Sequence, residues 1–220
     1  MMYKLVAFDL DGTLVDVDSS WSWVHRHYSV NNDAALHAFL ERKIDDLEFM
    51  RRDIELWLSK KSKIHLSEIT EILSQIPIKK GAKELFRFLK NTGISTAIVS
   101  GGIDILAHRV AKELGIEHVV ANALKTDELG YLTGEGVLRV KLLEKGEALR
   151  ELAEKIGAEK SQIISVGNSF IDTSMFEVSA IGIAFSPVDM EICSAADYVV
   201  EQNDMSALIP IFETILGGNP

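Results

Sequence analysis

The chain has 220 residues, of which 47% are hydrophobic and 25% charged, and this composition excludes a mainly disordered protein. Its formal net charge of −10 argues against a nucleic-acid-binding surface, because such a surface would be basic. A single cysteine, Cys193, excludes an internal disulfide framework and fits a reducing cytoplasm. Apolar runs fall short of the roughly 18 residues that a membrane span needs, and the start reaches Asp9 too soon for a secretory signal. We therefore expect a cytoplasmic protein.

Short apolar runs alternate with amphipathic helical patterns along most of the chain. The runs predicted as strands are residues 5–8, 95–99, 119–121, 163–166, 181–185 and 198–200. The patterns predicted as helices, each followed by a glycine that can end a helix, are residues 82–91, 103–114 and 145–156. Apolar strands separated by amphipathic helices predict an α/β fold with a doubly wound, Rossmann-like parallel sheet.

The stretch between Gly12 and Gly81 departs from this alternation. It has no glycine, and it holds all three tryptophans, Trp21, Trp23 and Trp57. Apolar residues recur at helical spacing there, which predicts a helical insertion with its own small core that includes the tryptophans. The predicted division is an α/β core of residues 1–15 and 79–220, a helical cap of residues 16–78, and a hairpin of residues 122–138 within the core.

Asp9 and Asp11 directly follow the first predicted strand, at the edge of the sheet where doubly wound folds bind ligands. Two carboxylates two residues apart repel each other unless a cation lies between them. Mg²⁺ takes hard oxygen ligands and often only one or two carboxylates, so it fits this pair. The alternative is a pair of solvated acids that ends an edge strand.

Three further polar segments follow strands or begin helices. Ser100 and Gly101 come where a helix is expected to begin, and a hydroxyl beside free N–H groups can bind an anion. Ser100 could equally be an ordinary helix cap. Lys145 opens another helix, where the dipole disfavours a cation, so it is expected to serve a bound phosphate or carboxylate unless it is simply solvated. Asn168 and Asp172 add oxygen ligands after a strand, or form a turn.

In this order and spacing, the four segments resemble the haloacid dehalogenase superfamily of phosphohydrolases, and within it the archaeal-type, phosphoserine phosphatase-like subgroup. The matching motifs are FDLDGTLV (8–15), VSGG (99–102), KGEALRELAEKIG (145–157) and VGNSFIDTSMF (166–176). The resemblance covers nearly the whole chain but is weak in the insertion, which lies where that subgroup carries its helical cap.

The resemblance implies a Mg²⁺-dependent phosphomonoester hydrolase with a role for each motif. Asp9 is implied as the nucleophile that forms an aspartyl-phosphate, and Asp11 as the general acid and base. The implied phosphate-binding residues are Ser100, Gly101 and Lys145, and the implied metal ligands are Asp9, Asp11, Asn168 and Asp172. The family has aspartate where this chain has Asn168, whose amide can ligate Mg²⁺ only without a full charge. Metal binding that is weakened, or re-centred on Asp172, is therefore expected rather than an inactive enzyme.

The cap residues leave the substrate open. Asp18 lies where the subgroup has a glutamate that holds the substrate amine, and Arg52 lies near its carboxylate-binding arginine, although the register places Asp53 there. Both Arg51 and Arg52 could instead form a solvated helix face. Phosphoserine is therefore the first expected substrate, and another small phosphorylated metabolite remains an alternative.

Other functions stay open beside a phosphatase. A phosphotransferase or mutase would pass the phosphoryl group to another acceptor, and a catalytically weakened binding protein would carry Asn168 as its mark. A signalling receiver would be shorter and would lack a cap. We expect no nucleic-acid or membrane partner, and a monomer or homodimer.

Overall fold

The protein is described as a computed structural model over residues 3–217, so both ends of the predicted core, residues 1–2 and 218–220, lie outside the described part. The strands are β1 Leu5–Phe8, β2 Ser95–Ile103, β3 His118–Thr126, β4 Leu132–Val137, β5 Ile163–Gly167, β6 Ile181–Phe185 and β7 Tyr198–Val200. They form one sheet in the order β4-β3-β2-β1-β5-β6-β7, in which only β4 runs antiparallel to its neighbour. The predicted doubly wound sheet is confirmed.

Ten helices accompany the sheet within the described residues. They are α1 Ser20–Tyr28, α2 Asp33–Leu40, α3 Asp46–Lys60, α4 Leu66–Ser74, α5 Ala82–Thr92, α6 Asp104–Leu114, α7 Lys145–Ile156, α8 Thr173–Glu177, α9 Met190–Ala195 and α10 Ile209–Gly217. The first five lie between β1 and β2. None of these described helices has both the length and the hydropathy needed to cross a membrane.

Within the insertion, the apolar residues of 34–58 recur at helical spacing, but the structure divides this stretch into two helices, α2 and α3. Arg42 adopts a left-handed conformation with φ of 57° after α2, which an α-helix cannot continue through. Asp45 then begins α3, because its side chain accepts a hydrogen bond from the N–H group of Glu48. Apolar periodicity alone does not reveal this turn, since the apolar residues keep helical spacing across it.

The expectation of a separate core in the insertion is wrong. Val6 and Phe8 of β1 belong to the same buried apolar cluster as Ile54 and Trp57 of α3. The β3–β4 pair connects the two parts, because a Cβ at Gly136 in β4 would lie 2.3 Å from the Met50 side chain of α3. The boundaries between core and cap therefore stay a prediction. The two segments share one apolar interior.

The second strand is longer than its apolar run. β2 continues through Ser100 to Ile103, with a shift of register against β3 between these two residues. Helix α6 begins only at Asp104. Its N-cap residue is Ile103, whose side chain cannot form a capping hydrogen bond. Ser100 is therefore not a helix cap, and its segment is not the N-terminus of a helix, contrary to both sequence-based interpretations.

Candidate active site

The strand order reverses beside β1, because β2 lies on one side of it and β5 on the other. In doubly wound sheets this switch point opens a crevice at the carboxyl ends of the strands. Asp9 leaves β1 there and Asn168 leaves β5. Gly12 has φ of +80°, and a Cβ on it would lie 2.3 Å from Nδ2 of Asn168, so glycine is required for both conformation and space. The two loops consequently meet at this point.

Lys145 lies between two buried carboxylates in this crevice. Its Nζ atom is 2.7 Å from Oδ1 of Asp9 and 2.6 Å from Oδ1 of Asp172. Burial by itself lowers the pKa of Lys145, but the carboxylates of Asp172 and Asp9 outweigh it and raise that pKa above the usual value. Lys145 is therefore a charged residue buried in the site, and the alternative of a solvated lysine is wrong.

Asp172 is fully buried, with both carboxylate oxygens occupied. Oδ1 binds Lys145, while Oδ2 accepts the backbone N–H groups of Asn168, at 2.9 Å, and Ser169, at 3.2 Å. Among the described residues, Asp172 does not line the cavity that lies between this crevice and helices α1–α3. This geometry orients Lys145 and the loop after β5, and it does not present Asp172 as the metal ligand expected from the sequence.

Asp9 is 3% exposed and lines the cavity. Burial and then the nearby carboxylate of Asp172 raise its pKa, the ammonium group of Lys145 opposes both, and the resulting pKa is about 7. Because Oδ1 accepts the hydrogen bond from Lys145, the second oxygen, Oδ2, is the one left to react with a ligand.

Asp11 is held by one residue that the sequence analysis missed. Its Oδ2 accepts hydrogen bonds from the N–H group and Oγ of Ser20, at 2.8 and 2.7 Å. Its Oδ1 is buried and has no hydrogen-bond partner among residues 3–217. Burial raises the pKa of Asp11 and the Ser20 hydrogen bonds oppose this, so Oδ1 is suited to carry a proton. The side chain of Ser19 caps α1 by accepting the N–H group of Ser22. In the sequence, the adjacent serines 19 and 20 before a helical pattern were the only signal that pointed to Ser20.

Ser100 and Gly101 lie at the end of β2 beside these carboxylates and line the cavity with Lys145. The Ser100 Oγ accepts the N–H group of Gly102 at 3.1 Å. The carbonyl of Gly101 accepts Nε1 of Trp21 at 3.1 Å, so this strand end is tied to α1. The anion-binding groups expected here are thus provided by an irregular strand end rather than by a helix.

The oxygen donors at the crevice fit a hard cation. No group of three or more His, Cys, Asp or Glu residues with metal-binding placement occurs in residues 3–217. Two carboxylates, Asp9 and Asp11, nevertheless lie there with the amide of Asn168, whose Oδ1 is 3.4 Å from the hydroxyl of Thr13. The Asp9 carboxylate and the amide oxygen of Asn168 suit Mg²⁺, which needs few protein ligands.

A cavity of about 550 Å³ joins the crevice to helices α1–α3. The side chains that line it beyond the sheet edge include Asp18, Trp21, His25, Asn32, Asp33, Leu36, Asp46, Phe49, Met50 and Asp53. Its volume is that of a small-molecule site.

The model of the haloacid dehalogenase-like hydrolase family matches residues 6–177 of the chain. The chain belongs to this family. Over 210 residues it is 32% identical to a phosphoserine phosphatase of Idiomarina loihiensis, covering 93% of this chain and 91% of that protein. It is 29% identical to a phosphoserine phosphatase of Methanocaldococcus jannaschii over 212 residues, 94% and 96% of the two chains.

The fold of this hydrolase is also similar to solved structures. One is a phospho-aspartyl intermediate analogue of phosphoserine phosphatase, with a TM-score of 0.80, 28% identity, and coverage of 96% of this chain and 99% of the other. A second is a substrate-bound phosphoserine phosphatase complex, with a TM-score of 0.80, 26% identity and the same coverage.

The cap side of this hydrolase follows the sequence expectations only in part. Asp18 lines the cavity, as expected. Arg52 does not, because its Nε donates to Glu48 at 2.7 Å on the outer face of α3 and its side chain is 42% exposed. The expectation for Arg52 is therefore wrong, and Asp53 lines the cavity instead.

The tryptophans have different positions, although all three were expected in the cap core. Trp57 is fully buried in the shared core. Trp21 stacks on it with ring centroids 5.6 Å apart and also lines the cavity. His25, which the sequence analysis did not single out, lies next to Trp57 and lines the same cavity.

Proposed function

We propose that this hydrolase is a phosphatase that cleaves small phosphomonoesters through a covalent aspartyl-phosphate on Asp9. The observation that carries the proposal is the buried contact of Asp9 with Lys145, beside Asp11, at the switch point of the sheet. Phosphoryl transfer depends mainly on positioning and charge stabilisation, and this arrangement supplies both.

In the first step, Oδ2 of Asp9 attacks phosphorus and the bond between phosphorus and the leaving alcohol oxygen breaks. Asp11 gives its proton to that oxygen. In the second step, Asp11 takes a proton from water, whose oxygen attacks the phosphorus and releases phosphate and the Asp9 carboxylate. Lys145 and the Ser100–Gly101 segment stabilise the charge on the remaining phosphoryl oxygens.

We include Mg²⁺ in this proposal, held by Asp9, the backbone carbonyl of Asp11 and Asn168. When bound, the ion supplies positive charge next to the phosphoryl group. An amide in place of a carboxylate at Asn168 lowers the attraction for the ion but keeps an oxygen ligand.

Phosphoserine is the first substrate in this proposal, which the names of the relatives support. Two cap carboxylates, Asp18 and Asp53, are available on the cavity wall for the substrate ammonium group. A cytoplasmic location and a monomer or homodimer complete the proposal.

The test is turnover of 4-nitrophenyl phosphate and phosphoserine, with and without Mg²⁺, by the wild type and Asp9→Asn. We expect Asp9→Asn to lose activity on the order of 10⁶-fold, the scale on which enzymes lose rate without their nucleophile. Beryllium fluoride should form an acyl-phosphate mimic on Asp9 in the wild type only.

Asp16→Asn is the matched control, because Asp16 is an exposed carboxylate seven residues away that pairs with Lys79 at 3.3 Å. It should keep wild-type turnover. Wild-type rates from Asp9→Asn would overturn the proposed mechanism.

A further inference from the structure

The part of the cavity wall that the cap segment supplies is acidic. Four aspartates from the cap segment line it: Asp18, Asp33, Asp46 and Asp53. Within residues 3–217, Lys145 is the one lysine or arginine on the cavity wall, and its ammonium group is already bound by Asp9 and Asp172. A carboxylate on the leaving group would therefore meet like charges and no available cation.

The nearest arginines are engaged elsewhere. Arg51 donates to Glu48 and, at 2.7 Å, to Glu55, and Arg52 donates to Glu48. These ion pairs lie on the outer face of α3, where the side chains of Arg51 and Arg52 are 38% and 42% exposed. Neither guanidinium group reaches the cavity in this arrangement.

Asp53 faces the cavity from the opposite side of α3, and its partners are neutral. Trp57 Nε1 can only donate, and it lies 2.6 Å from Nδ1 of His25, so Nδ1 carries no proton. The ring proton of His25 is then on Nε2, which donates to Oδ1 of Asp53 at 2.9 Å. The pair is therefore a neutral imidazole bonded to a carboxylate rather than a salt bridge.

The second partner of Asp53 is also neutral, since it is the side-chain amide of Asn32. Asp53 is only 3% exposed, so its negative charge has little solvent around it and no cation beside it. A buried carboxylate in this situation is stabilised strongly by any cation that enters. We call Asp53, His25, Trp57 and Asn32 the Asp53 array.

We infer that the Asp53 array binds an ammonium group on the leaving alcohol, and that the preferred substrates are aminoalkyl phosphomonoesters without a carboxylate. The inference rests on the proposed function. Phosphoserine carries the same ammonium group but adds a carboxylate, so it is a substrate of lower efficiency. Trp21, Phe49 and Met50 line the same region and suit a short alkyl chain.

The first test uses the wild type and compares kcat/KM for O-phosphoethanolamine, O-phosphoserine and glycerol phosphate at saturating Mg²⁺. We expect phosphoethanolamine to exceed both by roughly tenfold or more, the scale of one charge-assisted hydrogen bond. A higher value for phosphoserine or glycerol phosphate would overturn the inference. Turnover of 4-nitrophenyl phosphate reports separately on the proposed function, because that substrate has no ammonium group.

The second test is Asp53→Asn, with Glu55→Gln as the matched control. Both remove one carboxylate from α3, but Glu55 lies on its outer face. Asp53→Asn should raise KM for phosphoethanolamine by about tenfold to a hundredfold, and this loss should exceed its loss on 4-nitrophenyl phosphate by at least about tenfold. Glu55→Gln should match the wild type. Equal losses on both substrates would show a structural role for Asp53 and overturn the inference.

A third measurement needs no variant, so it holds even if Asp53→Asn fails to fold. Ethanolamine and serine are compared as competitive inhibitors of the wild type. Ethanolamine should bind more tightly, and equal or tighter inhibition by serine would contradict the inference.

Discussion

The two ends of the cavity are built differently. At the phosphate end, Asp9 and Asn168 follow β1 and β5 while Ser100 lies within the neighbouring β2, so the backbone of the sheet brings them together. At the leaving-group end, Asp18 and Asp53 come from the cap segment and reach the wall through the packing of α1–α3. This difference teaches that residues at a sheet edge can be recognised from short sequence motifs. Which residues of a helix contact the substrate depends instead on how that helix is rotated about its axis.

The largest expected contrast between the two ends comes from Asp11→Asn, which should slow hydrolysis of alkyl phosphates by roughly 10²–10⁴-fold. Aryl phosphates need less protonation of the leaving oxygen, so their loss should be smaller. Steady-state rates with both substrate types measure this. Asp18→Asn, at the other end, should act mainly on KM for phosphoserine. Equal losses on alkyl and aryl phosphates from Asp11→Asn would make Asp11 a structural residue.

Lys145→Met should show that the phosphate end depends on a buried ion pair for its stability. It leaves the buried carboxylates of Asp9 and Asp172 without their cation, which should lower the free energy of unfolding by about 3–5 kcal/mol. Urea denaturation of the metal-free protein measures it. Lys141→Met is the control, because Lys141 pairs with Glu144 and Glu147 at the surface and should change little. Equal effects of the two variants would contradict the buried network.

The stability of the metal-free protein should fall as pH rises from about 4 to about 7. Burial and the Asp172 carboxylate, opposed by Lys145, raise the pKa of Asp9 from 3.8 to about 7, so the folded state keeps a proton that the unfolded state has already released. The slope from this one proton is at most about 1.4 kcal/mol per pH unit. Melting temperatures in a chelator from pH 5 to 8 measure it. The fall should be shallower in Asp9→Asn, and parallel curves would place the titration on another group.

Asn168→Asp should give the smallest effect, a Mg²⁺ affinity higher by about tenfold. A carboxylate about 4 Å from a doubly charged ion adds roughly 8 kcal/mol of gross attraction at an effective dielectric constant of about 20, most of which lost hydration and repulsion from Asp9 and Asp11 offset. Without metal, the same added charge should lower the melting temperature at neutral pH. Calorimetric titration with Mg²⁺ measures the affinity. An unchanged affinity would show that this side chain does not face the ion.

The phosphate end could be predicted almost in full from the sequence. Short, largely apolar runs such as β1 and β5 predict buried strands, and the residues that follow parallel strands meet at one edge of the sheet. The role of Asp172 could not be predicted, because a carboxylate that accepts backbone N–H groups has the same sequence signal as a metal ligand. The extension of β2 through Ser100 was also hidden, since glycines carry no strand signal.

The leaving-group end was largely beyond prediction. Adjacent residues on a helix point about 100° apart, so only one of Arg52 and Asp53 can face the cavity directly. The spacing of apolar residues does not show which of the two it is. Packing against the shared core decides it, because Asp53 is buried with Ile54 and Trp57 while Arg52 is turned outward. His25 could be recognised only once Trp57 lay beside it.

Ser20 gives the molecule one further property. It is the first residue of α1, it donates twice to Asp11, and its Oγ accepts the N–H group of Ile103 at the end of β2. Any outward swing of α1 removes both donors from Asp11 at once. The position of α1 and the orientation of the Asp11 carboxylate are therefore coupled through this one serine.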